Sequence, residues 1–230
     1  GRVELEQARE RLGVPAGILS VILAQNETGV LQPVGELAAL ARAAASDVIV
    51  HSDAAQAVGK VPVDVGALGV DLLTVVSHKL YGPCGIGALW VRDGLPLRSL
   101  TLGGGQEGGR RPGTEPVALI VGLGAACAVA REDLESESKR VAALRDRLWA
   151  RLSGAIAGLR WTGQGAPLLP NTLHVRVPGC DGAAVLARAH AVAASTGSAC
   201  HSDDGSISGV LGAMGLTAED ARGALRLTLG

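Results

Sequence analysis

The sequence predicts an α/β protein, a mostly parallel sheet flanked by helices, followed by a smaller α+β domain. Three observations carry that expectation. Short apolar runs alternate with Ala/Leu-rich stretches of helical spacing through the first hundred residues. Those runs are nearly continuous, as in strands covered on both faces. Beyond a glycine-rich segment at 103–113 the texture changes to one long charged stretch and then to shorter elements.

Taken in order, residues 4–12 form a charged helical stretch stopped by Gly13 and Pro15. Residues 18–24 read as a buried strand, and 33–45 as a helix opened by Pro33, whose fixed φ suits a first turn. Residues 47–51 and 71–76 read as two further buried strands, and 86–91 as a strand pairing back in a hairpin. A helix is expected over 115–156, with charges on one face and Ala/Leu on the other. A half-buried strand at 172–177, a helix at 182–190 and a strand at 192–195 follow, leading into a loop at 196–205. Two short helices at 208–214 and 218–224 and a last strand at 225–229 complete the chain. The expected division is 1–130 for part of the larger domain and 131–230 for the smaller one.

Composition removes whole classes of function. The 230 residues carry 21 Lys+Arg against 22 Asp+Glu, a net charge of -1 that lacks the basic footprint of a nucleic-acid binder. The mean hydropathy of +0.30 is high, yet the longest apolar stretch, 117–130, is shorter than the roughly 18 residues a spanning helix needs. The four cysteines, Cys84, Cys127, Cys180 and Cys200, show no CxxC pair and no metal-finger spacing. A reducing, cytosolic compartment and no metal are expected, with Cys127 a small buried side chain and Cys84 and Cys180 incidental.

In open α/β sheets ligands bind beyond the carboxyl ends of the strands. The first strand delivers Gln25, Asn26 and Glu27; the second His51, Ser52, Asp53 and Gln56; the third Ser77, His78, Lys79 and Tyr81. A lysine and a carboxylate at one sheet edge suit pyridoxal phosphate, which needs an amine for its aldehyde and an acid to keep its ring nitrogen protonated. Asp53 can also cap the following turn, and the two roles are compatible. Cys200, in the polar stretch Ser-Thr-Gly-Ser-Ala-Cys-His-Ser at 195–202, is a poor core residue and a good candidate for a mobile nucleophile.

These motifs occur in a recognisable order: Asn-Glu-Thr-Gly at 26–29, His-Ser-Asp-Ala-Ala-Gln at 51–56 and Ser-His-Lys-Leu-Tyr-Gly-Pro at 77–83. Gly-Gly-Gly-Gln-Glu at 103–107, Arg-Pro-Gly-Thr-Glu at 111–115, Leu-Pro-Asn-Thr at 169–172 and the Cys200 stretch follow. The chain resembles, over essentially its whole length, the NifS/IscS-like cysteine desulfurases and selenocysteine lyases. The resemblance implies a pyridoxal-phosphate-dependent transferase fold of the aspartate-aminotransferase type, and a homodimer. It makes Lys79 the Schiff-base lysine and Cys200 the nucleophile, both catalytic. It also assigns Asp53 to the ring nitrogen, Gln56 to the phenolic oxygen and Asn26 to the neighbourhood of cofactor and substrate. His78 and Thr114 become phosphate contacts, Thr114 from across a dimer interface, and Arg226 the ligand of the substrate carboxylate, a role suited to a bidentate guanidinium. The implied reaction takes L-cysteine or L-selenocysteine to L-alanine and passes sulfur or selenium through Cys200 to an acceptor protein.

The chain departs from the family pattern at several positions. Val76 and Ser77 stand where a serine and a glycine are usual, Gly108 where an arginine follows Gln-Glu, and Gly223 in place of an asparagine. An amino-terminal phosphate-binding turn, a histidine that stacks on the ring and a final helix have no counterpart, so a fragment is expected. Two other readings stand beside a desulfurase: another enzyme of the same fold, such as a kynureninase-like hydrolase, and an inactive truncated homologue acting only by pairing with a full-length subunit.

Overall fold

The computed structural model describes residues 1–14, 16–197 and 207–230. Its first half is a four-stranded sheet in the order β1-β2-β3-β4: β1 (Ile18–Ile22), β2 (Ile49–Asp53), β3 (Leu72–Val76) and β4 (Gly87–Val91). The first three strands are parallel, with Ser20 beside His51 and Asp53 beside Thr74. The expected hairpin forms, and β4 returns antiparallel to β3 with Val76 opposite Gly87. Three successive strands therefore end at one edge of the sheet, which brings their polar carboxyl-terminal residues together.

Helix α1 (Leu5–Arg11) precedes this sheet, and α2 (Val34–Ala44) packs on it through Val34, Leu37, Ala38 and Ala41, an i, i+3, i+4, i+7 stripe. With Leu23, Val48, Val50, Ala54, Val70 and Leu73, the side chains of Val34, Ala38 and Ala41 form the main apolar core. The short helix α3 (Val65–Leu68), capped by Asp64 Oδ1 accepting from Ala67 N at 2.8 Å, links β2 to β3. Asp71 anchors the far end of β3. Its buried carboxylate accepts from Val50 N (2.8 Å), Arg42 Nη2 (3.0 Å) and Arg92 Nε (2.6 Å). Burial alone would raise its pKa, but these donors and the two guanidinium charges outweigh that and hold it below the ordinary carboxylate value.

After a single turn, α4 (Gln106–Gly109), the 39-residue helix α5 (Val117–Ala155) leads to the second half. There β5 (Arg160–Trp161), β6 (Thr172–Arg176) and β7 (Ala224–Thr228) form an antiparallel sheet in that order. The short helices α6 (Gly182–Arg188), α7 (Gly209–Ala213) and α8 (Ala218–Arg222) accompany it. Leu173, Val175 and Leu225 make a second core against Leu148, Trp149 and Leu152 of α5. Arg145 of α5 stacks 5.3 Å from the Trp161 ring and donates to Leu169 O at 2.8 Å.

Several expectations need correction. β1 is an edge strand with only partial burial along its length, because no strand among the described residues pairs with its open side. β2 begins two residues later than its apolar run, at Ile49. β6 is buried on both faces at Thr172 to Val175 instead of alternating, since α5 covers one face and other elements the opposite one. The stretch 192–195 is not a strand; only Ser195 pairs, as an isolated bridge to Arg226. Cys127 is half-buried, because α5 presents much of its surface to solvent and fully buries only Val141.

Candidate active site at the carboxyl edge of the sheet

Lys79 sits in a single 3-10 turn, Ser77–Leu80, directly after β3. The turn ends at Tyr81 in the left-handed region (φ 61°), and Gly82 then passes so close to Ser77 Oγ and Ala126 of α5 that a Cβ would not fit. This packing fixes the backbone that carries His78 and Lys79 while both side chains remain exposed. Lys79 lines a cavity of about 500 Å³ between the turn and α5, shared with Lys60, Tyr81, Asp133, Glu137 and Asn171.

Asp53 closes β2. Its Oδ1 accepts from Ala55 N at 2.9 Å, the capping role expected of it, and Oδ2 takes no part in that bond. Gln56 lies half-buried in the turns that follow. Asn26, beyond β1, is half-buried and receives Gln25 Nε2 on its Oδ1 at 3.2 Å. Its carbonyl oxygen accepts from Arg226 Nη1 at 2.8 Å, so β7 of the second half reaches the end of β1. Asn26 and Arg226 are thus joined directly, and Asp53 and Lys79 stand on adjacent strand ends. Thr114 is exposed in the loop before α5, its carbonyl accepting from Arg111 at 3.3 Å, and touches none of the others. Cys200 lies outside the described residues.

Sequence reasoning placed His51 and Glu27 at the strand ends without giving either a role, and it missed Lys60. His51 bridges the sheet laterally, from Ser20 Oγ at Nδ1 (2.8 Å) to Thr74 Oγ1 at Nε2 (2.9 Å). Lys60 donates to Lys79 O at 3.0 Å; burial, and then the Lys79 charge, lower its pKa to about 8. Glu27 is buried at the base of the Asn26 turn.

The chain is matched over residues 1–227 by the family model "Aminotransferase class-V". It belongs to the class-V aminotransferase family. Among its relatives, a cysteine desulfurase of Gluconacetobacter diazotrophicus is 44% identical over 99% of the chain and 57% of the relative. A selenocysteine lyase of Bos taurus is 42% identical over 100% of the chain and 56% of the relative. The solved NifS-like protein of Rickettsia africae superposes with a TM-score of 0.90 at 30% identity, over 100% of this chain and 62% of that one. DndA of Streptomyces lividans superposes with a TM-score of 0.79 at 34% identity, over 99% of this chain and 64% of that one. The chain therefore spans less than two thirds of each. Family and fold agree with the resemblance read from the motifs. No helix among the described residues is long and apolar enough to cross a membrane.

A class-V fold implies pyridoxal phosphate, and the donor set fits it. Lys79 offers an amine one turn past β3, Asp53 a carboxylate oxygen outside its capping bond on the adjacent strand end, and Gln56 and Asn26 amides on neighbouring loops, although the cavity that Lys79 lines is bounded by none of these three. Ser77 Oγ, buried beside His78 with no partner among the described residues, adds a hydroxyl at the root of the same turn.

Proposed function

We propose that this class-V chain carries the cysteine desulfurase or selenocysteine lyase reaction: L-cysteine or L-selenocysteine plus the Cys200 thiol gives L-alanine plus a Cys200 persulfide or selenopersulfide. The atoms balance without an outside oxidant, because the chalcogen atom moves from the substrate Cβ to Sγ of Cys200. The observation that carries the reading is the position of Lys79, one turn past β3, on a cavity wall and on the strand next to the one ending in Asp53.

Lys79 Nζ would hold the cofactor's aldehyde carbon and Asp53 its ring nitrogen. Gln56 and Asn26 would flank the ring, and His78 and Thr114 would take the phosphate. When bound, pyridoxal phosphate supplies an electron sink for the carbanion left at the substrate Cα. Displaced from the aldehyde carbon by the substrate amine, Lys79 Nζ would take the Cα proton whose loss leaves that carbanion, a task for a free amine held next to the reacting carbon. Arg226 would pair its guanidinium with the substrate carboxylate; its Nη1 bond to Asn26 O already aims it at the end of β1. Cys200 Sγ receives the sulfur or selenium and passes it to an acceptor protein, and two copies of the chain form the working unit. Residues 1–130 serve as the cofactor-binding part and 131–230 as the smaller domain.

The test supplies pyridoxal phosphate and L-cysteine or L-selenocysteine to the chain and measures alanine together with persulfide or selenopersulfide mapped by mass spectrometry. Alanine in equal amount to a modified Cys200, abolished for cysteine by Cys200→Ala, is expected. Cysteine turnover by Cys200→Ala at the wild-type rate would overturn the nucleophile assignment. Absence of both alanine and any bound-cofactor absorbance would favour an inactive chain.

A further inference from the structure

Glu27 is a carboxylate buried to 4% exposure in the tight turn after β1, and nothing in the reaction above uses it. Its turn is fixed by Gln25 Oε1, which accepts from Glu27 N and Thr28 N, each at 2.7 Å. The side chain faces two places far away in sequence. Oε1 accepts from Ser208 Oγ at 2.9 Å, a bond spanning 181 residues. Oε2 has no hydrogen-bond partner among the described residues and faces Gly197, where an added Cβ would stand 3.2 Å from it. Ser208 is also the amino-terminal cap of α7, accepting from Val210 N at 3.2 Å. Gly197 is held by Ser195, whose Oγ donates to Gly197 O at 2.8 Å and accepts from Gly197 N at 3.1 Å. Ser195 in turn pairs with Arg226, whose Nη1 reaches Asn26, the residue before Glu27.

Positions 197 and 208 bound the segment that contains Cys200. We infer that Glu27 is a positioning residue: one buried carboxylate that ties the carboxyl-terminal end of that segment, through Ser208, to the turn after β1 and lies beside its other end at Gly197, next to the Arg226 contact. It thereby sets where the Cys200 segment springs from relative to the substrate end of the sheet. A side chain at 197 would crowd the carboxylate and require it to shift, and a hydroxyl at 208 is needed to engage it. This role in catalysis rests on the proposed function, but the tie itself does not.

Two readouts separate the claims. The first is cleavage by a non-specific protease between positions 197 and 208, mapped by mass spectrometry on the intact chain without cofactor. Loss of one buried hydrogen bond changes a local opening equilibrium about fivefold, so Glu27→Ala and Ser208→Ala should be cut there about fivefold faster than wild type. Glu27→Gln keeps an oxygen acceptor for Ser208 and should stay within about twofold. Cleavage of Glu27→Ala and Ser208→Ala at the wild-type rate, or of Glu27→Gln as fast as Glu27→Ala, overturns the tie. Should Glu27→Ala fail to fold, Ser208→Ala decides alone. The second readout is persulfide formation on Cys200 with pyridoxal phosphate and cysteine present. Glu27→Ala should lower kcat about tenfold with KM and bound-cofactor absorbance unchanged, and Glu27→Gln should restore it. A raised KM with kcat intact would overturn the positioning role, whereas an inactive wild type would overturn the function and leave the cleavage result standing.

Discussion

Acidification should destabilise the chain through one histidine. His174, in the middle strand of the second sheet, is fully buried, and neither ring nitrogen has a partner among the described residues. Burial first, and then the Arg176 and Arg226 charges, push its pKa down to about 4. The unfolded chain takes up a proton near the ordinary histidine value of about 6.5 while the folded chain refuses it. Stability from this site is therefore complete above about pH 6.5, falls as pH drops toward 4, and loses nothing further below that. Between pH 7.5 and 5.0 the linkage amounts to about 2 kcal/mol, rising to about 3 kcal/mol at the acid limit. Urea unfolding of wild type and His174→Leu at both pH values isolates the effect, since every other titrating group is shared. The variant should lose about 2 kcal/mol less than wild type across the interval. Parallel losses in the two proteins would refute the assignment of a neutral, proton-refusing His174.

Two further outcomes follow from charged groups around the first sheet. Asp71→Asn keeps the shape of the side chain but strips the charge that pairs with Arg42 and Arg92; because both guanidinium groups are partly exposed and stay hydrated, thermal or urea unfolding should show a loss of about 1.5 kcal/mol, that of weakened charge-assisted hydrogen bonds. The cavity shared by Lys60 and Lys79 should bind an anionic ligand less well as Lys60 deprotonates around pH 8. Spectroscopic titration with pyridoxal phosphate should weaken by about fivefold from pH 7 to 9 in wild type, with that component absent in Lys60→Met.

The parts of the architecture that were legible in the sequence are those set by local pattern. Continuous Val/Leu/Ile runs mark β2 and β3, and the stripe Val34, Leu37, Ala38, Ala41 marks α2. What escaped depends on which element covers which. The run at 18–24 looks the same whether its strand is central or at an edge, and only the sheet order makes β1 an edge. Residues 192–195 have strand-like composition, yet the bridge from Ser195 to Arg226 does not extend along them. At the site, Asp53 closes β2 and Asn26 and Lys79 lie within four residues of a strand end, a placement that the order of the chain alone suggests. The contacts of Glu27 and Lys60 could not be read this way, since their partners, Ser208 and the Lys79 carbonyl, are brought to them only by the fold. Thr114 touches no other candidate, and its role across two copies of the chain rests on the resemblance alone.

The central claim is that Lys79 is the amine that anchors the cofactor. The chain has three lysines, Lys60, Lys79 and Lys139, two of them on one cavity wall. Borohydride reduction of the chain incubated with pyridoxal phosphate, followed by peptide mapping, reads which one is joined. A pyridoxyl group on Lys79, retained in Lys60→Met, is the predicted result. A pyridoxyl group on Lys60 or Lys139 instead, or on no lysine at all, would contradict it.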